Sequence, residues 1–325
     1  MALKKSLSQH LLKDKNLLNK LVKLAGIGPD DVVVEIGAGR GDLTRCIIPR
    51  ARFVHAIELD KQFRGSLEPL EHLFPNVSVT FDSILNVPLR SFVKEERIKV
   101  MGNIPYNITG DILFKLLSEM DVIESAHLTM QKEVGERLAS KPCSRSYGAL
   151  SVIFQMYASV KLLLKLKPSL FIPPPEVDSV FIAIMFKHDR IDFHEQARGN
   201  LSSEHGEREG EAPTGSPVEG ATRAPLLLPA QGMIDFIKAC FRYKRKYLRH
   251  SLEPLLGKER VQALYAFMDF HPSVRAEELE PKLYERMYGF VKGGVTGHGS
   301  WVMGKAKEKL TWLNPGSCSP LTHAP

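Results

Sequence analysis

The chain has 325 residues, 43% of them hydrophobic and 25% charged, with a net charge of +7 and four widely spaced cysteines. That length supports one large or two smaller domains, and the balance is that of a soluble globular protein rather than a disordered or fibrous one. Cys46, Cys143, Cys240 and Cys318 form no Cys-x-x-Cys pair, which argues against a disulfide scaffold or a zinc site and for free thiols.

No apolar run reaches bilayer length, and Met1-Ala2-Leu3-Lys4-Lys5 lacks the apolar core of a secretion signal. A cytoplasmic protein with no membrane partner and no metal is expected.

Leu11 to Leu24 has the Leu and Val spacing of a helix. Asp31 to Ile36 is a short apolar strand that runs into a Gly-rich turn, and Leu43 to Ile48 reads as the helix after it. Arg52 to Ile57, Val77 to Phe81, Ile98 to Met101 and Ala126 to Met130 are further short apolar runs, with a helix-like stretch from Asp111 to Leu117. Strand alternating with helix predicts a parallel sheet covered on both faces, an α/β fold of the Rossmann-like kind. Val160 to Leu166 and Val180 to Phe186 read as two late strands, and the first domain is expected over residues 1–188.

Residues 189–230 are rich in Gly, Pro, Ser and Glu, too polar to bury a core, and are expected to be a flexible insertion. Helical patterning returns over 231–292 as a small all-helical domain. Residues 293–325 read as a disordered tail.

The most informative stretch is Gly102-Asn103-Ile104-Pro105-Tyr106-Asn107-Ile108, between a strand and a helix. It puts an amide oxygen, the Ile104 carbonyl ahead of a proline, and an aromatic ring at the carboxyl end of a strand, where open α/β sheets bind ligands. The Asn103 amide and the Ile104 carbonyl can accept hydrogen bonds from an exocyclic amine, and Tyr106 can stack on the base that bears it. Asn, Pro and Tyr are also ordinary turn residues.

Three other strand ends decide between these readings. Glu35-Ile36-Gly37-Ala38-Gly39-Arg40-Gly41 follows the first strand with a Gly-x-Gly-x-Gly spacing, which differs from the Gly-x-Gly-x-x-Gly of dinucleotide binders. Glu58 ends the second strand about 20 residues later, where doubly wound sheets place a carboxylate on ribose hydroxyls. Asp82 ends the third and could accept from an adenine amine, or else cap a helix. With Asn103 on the fourth, the set describes an S-adenosyl-L-methionine methyltransferase.

These strings resemble the KsgA-type small-subunit ribosomal RNA adenine dimethyltransferases. The resemblance also rests on Leu3 to Leu12 (with Ser8 where Gly is usual), Gln131 to Leu138, Tyr147 to Val152, Phe171 to Ser179 (with Glu176 where Lys is usual) and Cys240 to Leu248. It implies that the enzyme places two methyls on N6 of each of two adjacent adenosines, in the hairpin loop near the 3′ end of small-subunit rRNA. The substrate would be an immature small ribosomal subunit and the enzyme a monomer. By the same resemblance His10 and Leu12 join Gly37, Glu58, Asp82 and Asn103 on the cofactor, and Phe171 forms a second aromatic wall beside the base.

Lys238, Arg242, Lys244, Arg245, Lys246 and Arg249 form a basic run without an acidic residue among them. A run of six cations points to RNA phosphates, and the resembled family holds ribosomal RNA with this helical domain. Two other readings share some of these strings: large-subunit adenosine methyltransferases of the macrolide-resistance type, and nucleic-acid-binding transcription-factor relatives.

Overall fold

A computed structural model describes residues 10–93, 96–188, 231–243 and 246–293. The expected insertion at 189–230, the expected tail from residue 294 on, and the motif residues Leu3 to Gln9 lie outside them.

The central element is a seven-stranded sheet. It contains β2 (Val32–Ile36), β3 (Phe53–Ile57), β4 (Val77–Thr80), β5 (Ile98–Asn103), β6 (Ile123–Gln131), β7 (Ala158–Leu166) and β9 (Ser179–Phe186). Their spatial order is β4-β3-β2-β5-β6-β9-β7. The five strands from β4 to β6 run parallel, and β9 pairs antiparallel with both β6 and β7. The expected α/β class is therefore present, with an antiparallel edge on a parallel sheet. The near-continuous apolar runs of these strands suit burial on both faces. Chain order reverses between β2 and β5, and at such a switch point a crevice opens outside the strands' carboxyl ends.

A second, two-stranded pairing joins β1 (Leu11–Leu12) to β8 (Phe171–Ile172), with Leu11 opposite Ile172 and Leu12 opposite Phe171. The helix expected from Leu11 therefore begins later, as α1 (Lys15–Leu24). Asp14 explains the shift. Its carboxylate accepts from the backbone N–H of Asn16 and Leu17 at 2.8 and 3.2 Å, an N-cap that starts the helix there. The helix after the Gly-rich turn, α2, is only Thr44–Ile47. The others of this part are α3 (Arg64–Leu73), α4 (Thr109–Ser118) and α5 (Lys132–Leu138). Leu21, Val22, Ile47, Phe63 and Leu67 pack with Val33, Val54 and Phe181 in one core.

Among the described residues, contacts fall into two compact units: 10–139 with 157–188, and 140–156 with 231–293. The second unit holds α6 (Ala149–Tyr157, but for its last residue), α7 (Gln231–Cys240), α8 (Leu248–Leu256), α9 (Lys258–Met268) and α10 (Pro281–Gly293). Its core contains two fully buried tyrosines whose hydroxyls donate to backbone carbonyls, Tyr147 to Leu279 at 2.8 Å and Tyr284 to Ala276 at 2.6 Å. A buried phenol needs such a partner. Cys46 and Cys240 are free and buried, as expected of them, but Cys143 is disulfide-bonded.

Candidate active site

One cleft at the carboxyl ends of β2, β3 and β5 encloses about 860 Å³ of empty space, its open mouth included. Its wall contains His10, Gly37, Gly39, Glu58, Asp82, Asn103, Ile104 and Tyr106. The four strand ends singled out in the sequence thus meet around one crevice.

The Gly-rich turn shapes one side. Gly37, Gly39 and Gly41 all have positive φ, at 73°, 56° and 76°, a region open to glycine at little cost. Gly37 and Ala38 donate to the Ile57 carbonyl at 2.9 and 3.2 Å, tying the turn to the end of β3. A Cβ on Gly39 would approach Leu11 to 3.0 Å, so the turn lies close under the N-terminal strand.

Glu58 holds this turn. Its carboxylate accepts from the backbone N–H of Gly39 at 2.7 Å and of Asp60 at 2.8 Å, one on each oxygen. Each carboxylate oxygen has two acceptor sites, so each retains one. Burial raises the Glu58 pKa, with the N–H groups of Asp60 and Gly39 opposing it. Asp60 is buried and caps Lys61–Phe63 through the Gln62 N–H. Asp82 is exposed at the cleft. One of its oxygens accepts from the Ser83 N–H at 2.6 Å and the Asn86 side chain at 3.0 Å, so it shapes a turn, not a helix start.

The other side is built on β5. Gly102 lets it lie against β2, because a Cβ there would collide with the Ile36 carbonyl oxygen. The Ile104 N–H donates to the Thr129 carbonyl at 3.1 Å, which anchors the turn to β6. The side chain of Asn103 donates from Nδ2 to the His10 carbonyl at 2.5 Å. That bond fixes which end of the amide is which and leaves Oδ1 as its acceptor. Tyr106 is partly buried, shares a hydrogen bond with the Ser179 hydroxyl at 2.5 Å, and stacks on the His10 ring with centroids 5.3 Å apart. The His10 ring in turn donates from Nδ1 to the Pro173 carbonyl at 2.8 Å.

Two expected residues lie elsewhere. Phe171 is 1% exposed and packs in the core with Leu12, Leu166 and Phe181. It cannot wall a base from there; on the two-residue strand β8 it is Phe171 that faces inward and Ile172 that is exposed. Leu12 also belongs to that core and lines a smaller cavity that shares Leu11, Gly37 and Asn103 with the cleft, beside Glu35 and Arg40. Sequence reading missed Leu59, Ile84 and Ser83, which border the cleft directly after Glu58 and Asp82. Leu59 is 49% exposed, and a large apolar side chain left open beside a carboxylate suits the face of a planar ligand.

Glu35 is fully buried beside Thr44, and burial pushes its pKa up to about 8 against the opposing effect of Thr44. The apolar and polar lining together fit a nucleoside with a charged tail. The glycines admit close approach, Glu58 keeps acceptors for hydroxyls, and Leu59 and Ile84 offer apolar faces.

Lys238, Arg242, Lys246 and Arg249 lie in the second unit; Lys244 and Arg245 lie outside the described residues. Among the described residues no cluster of three or more His, Cys, Asp or Glu could hold a metal ion, and no helix is long and apolar enough to cross a membrane.

Comparison with known proteins places this geometry. The sequence is 39% identical over 189 residues to the ribosomal RNA small subunit methyltransferase A of Francisella tularensis, covering 58% of this chain and 72% of that protein. It is 38% identical over 184 residues to the protein of the same name in Alkaliphilus oremlandii, covering 55% and 64%. The fold is similar to the crystal structure of a dimethyladenosine transferase from Plasmodium falciparum, with a TM-score of 0.67 at 22% identity over 87% of this chain and 98% of that one. It is also similar to the 23S rRNA methyltransferase ErmE, with a TM-score of 0.58 at 22% identity over 87% and 99%. The family profile described as ribosomal RNA adenine dimethylase matches residues 1–197. With a crevice at the switch point and more than half its length matched, the chain belongs to the ribosomal RNA adenine dimethylase family.

Proposed function

We propose that this enzyme transfers methyl groups from S-adenosyl-L-methionine to N6 of two adjacent adenosines in the 3′-terminal hairpin loop of small-subunit (16S) rRNA, within an immature small subunit. The observation that carries the reading is the orientation of Asn103. Its Nδ2 is engaged by the His10 carbonyl, which leaves Oδ1 as the acceptor of a residue that lines the cleft together with Tyr106, Gly37 and Glu58. The small-subunit names of the relatives near 39% identity support this substrate over the large-subunit one.

S-adenosyl-L-methionine supplies a sulfonium methyl as the electrophile. The residues of this chain do the rest. Glu58 would accept from the ribose hydroxyls, and Asp82, Leu59 and Ile84 would hold the adenine. On the substrate side the target base leaves its stack to enter the cleft. Asn103 Oδ1 and the Ile104 carbonyl accept the two N6–H bonds, which favours a pyramidal nitrogen with its lone pair free. Tyr106 stacks on the base, a contact of roughly 1–3 kcal/mol. Positioning of this kind supplies most of the rate. The nitrogen becomes acidic once alkylated and loses its proton to solvent, and rotation about the C–N bond presents the remaining N6–H.

Residues 1–188, less the 140–156 stretch that groups with the second unit, are the catalytic domain in this reading, and 231–292, with Lys238, Arg242, Lys244, Arg245, Lys246 and Arg249, hold the rRNA. The enzyme acts as a monomer in the cytoplasm. The test is incubation of the full chain with labelled S-adenosyl-L-methionine and, in parallel, small subunits and large subunits that lack the modification, followed by nucleoside analysis. N6,N6-dimethyladenosine at two adjacent positions is expected; label confined to large-subunit RNA would overturn the reading.

A further inference from the structure

The second unit carries an exposed surface that sets cations beside aromatic rings. Tyr247 is 36% exposed and Tyr243 is 40% exposed. The guanidinium carbons of Arg249 and Arg275 lie 5.4 and 5.9 Å from the Tyr247 ring centre. Lys246 and Arg242 lie 5.5 and 5.9 Å from that of Tyr243. Arg275 reaches this place because the Leu248 N–H donates to the Val274 carbonyl at 2.8 Å, which draws the 274–275 segment against the start of α8. The exposed His250 ring stacks on Tyr247 at 6.0 Å with 19° between the planes.

None of Arg242, Lys246, Arg249 and Arg275 has a carboxylate within ion-pair distance among the described residues. In the first unit, by contrast, Arg64, Arg90, Lys99, Lys115 and Arg137 each do. Four such cations lying over two exposed rings suit a ligand that offers a flat π-face and a negative charge at short spacing, because side chains that swing out to its phosphates uncover the ring for its base. An unpaired nucleotide offers both. An acidic peptide would engage the cations and leave the rings bare.

We propose that Tyr247 and Tyr243 form a base-stacking subsite for unpaired RNA, with Arg242, Lys246, Arg249 and Arg275 on the adjoining phosphates. This rests on the rRNA reading above and deepens it: the helical unit grips single-stranded nucleotides as well as backbone charge.

The test compares two fluorescent probes on the full chain, a short unstructured oligoribonucleotide and a ribose-phosphate oligomer of equal length without bases. The variant Tyr243→Leu/Tyr247→Leu should bind the base-containing probe roughly five- to a hundredfold more weakly, the range of one stacked base. Its affinity for the abasic probe and its salt slope should not change, and Tyr243→Phe/Tyr247→Phe should restore binding. Arg249→Gln/Arg275→Gln should weaken both probes and flatten the salt dependence by about 0.7 for each phosphate no longer neutralised. The ratio of the two probes is read within one protein, so partial unfolding of a variant cancels. An unchanged ratio in the Leu variant, or equal loss on both probes, overturns the stacking subsite. If that occurs while the wild-type chain still methylates small subunits, the function stands and only the subsite falls. A wild-type chain that binds neither probe and methylates no subunit overturns both.

Discussion

The side-chain amide of Asn103 is held by the backbone carbonyl of His10, 93 residues earlier in the chain, at 2.5 Å. The acceptor end of the amide is thereby fixed before any ligand arrives, and the energetic cost of orienting it falls on folding instead of on the reaction.

Asn103→Ala should lower the single-turnover methylation rate by about 10²–10³, the effect of removing one oriented polar group from an active site. Affinity for S-adenosyl-L-methionine, measured by calorimetry, should change far less, because an interaction that strengthens in the transition state appears in the rate. Near-normal turnover would refute the assigned role.

In the proposed mechanism the ring and not the hydroxyl meets the base, so Tyr106→Phe should keep most activity. Tyr106→Ala should lose roughly 1–3 kcal/mol of stacking, seen as a higher KM for small subunits. Ser179→Ala frees the hydroxyl that fixes the ring and should raise KM more than it lowers kcat. A larger loss in Tyr106→Phe than in Tyr106→Ala would assign the hydroxyl a chemical role instead.

Glu58→Ala should weaken S-adenosyl-L-methionine binding by about 1.5–3 kcal/mol, the range for a hydrogen bond to a charged group. It should also lower the melting temperature, because the buried N–H groups of Gly39 and Asp60 lose their acceptor. Unchanged cofactor affinity by calorimetry would remove Glu58 from the site. Its raised pKa adds a pH signature: affinity in the wild type should begin to fall at a higher pH on acidification than for an ordinary glutamate.

Glu35 predicts a pH dependence of stability. Its carboxyl has an ordinary value of 4.5 when unfolded and about 8 when folded, chiefly through burial. The folded state therefore binds the proton more tightly. Its contribution is fully present below about pH 4.5 and is lost as pH rises through 8. Denaturant melts should show stability falling from pH 6 to pH 8.5 in the wild type and a flatter profile in Glu35→Gln. An identical profile in that variant would mean that Glu35 does not carry the effect.

Glu58, Asp82 and Asn103 are legible in the sequence because each ends a short apolar run, and parallel strands that share a direction bring their ends to one edge. The Gly-rich turn is legible for the same reason. Phe171 is not. It stands in a recognisable string, but the string does not say which way a two-residue strand faces, and the answer is set by Leu12 across the ladder. The His10 carbonyl on Asn103 is equally hidden, since a backbone acceptor has no residue type to read. Residues 140–156 have their contacts with the second unit. Their apolar spacing reads the same whichever core they feed.

The carbonyl that orients Asn103 sits at the end of a ladder only two residues long, Leu11–Leu12 against Phe171–Ile172. So short a ladder lies outside the seven-stranded sheet and can open while that sheet stays intact. Amide protons of Leu11 and Leu12 should accordingly exchange with solvent far sooner than those of Val33, Val34 or Val100 in the sheet's buried middle. The protein can thus be fully folded by every global measure and still, for an interval, have an unaligned amide at the cleft; in the proposed mechanism activity would follow the fraction of time that one clasp is shut.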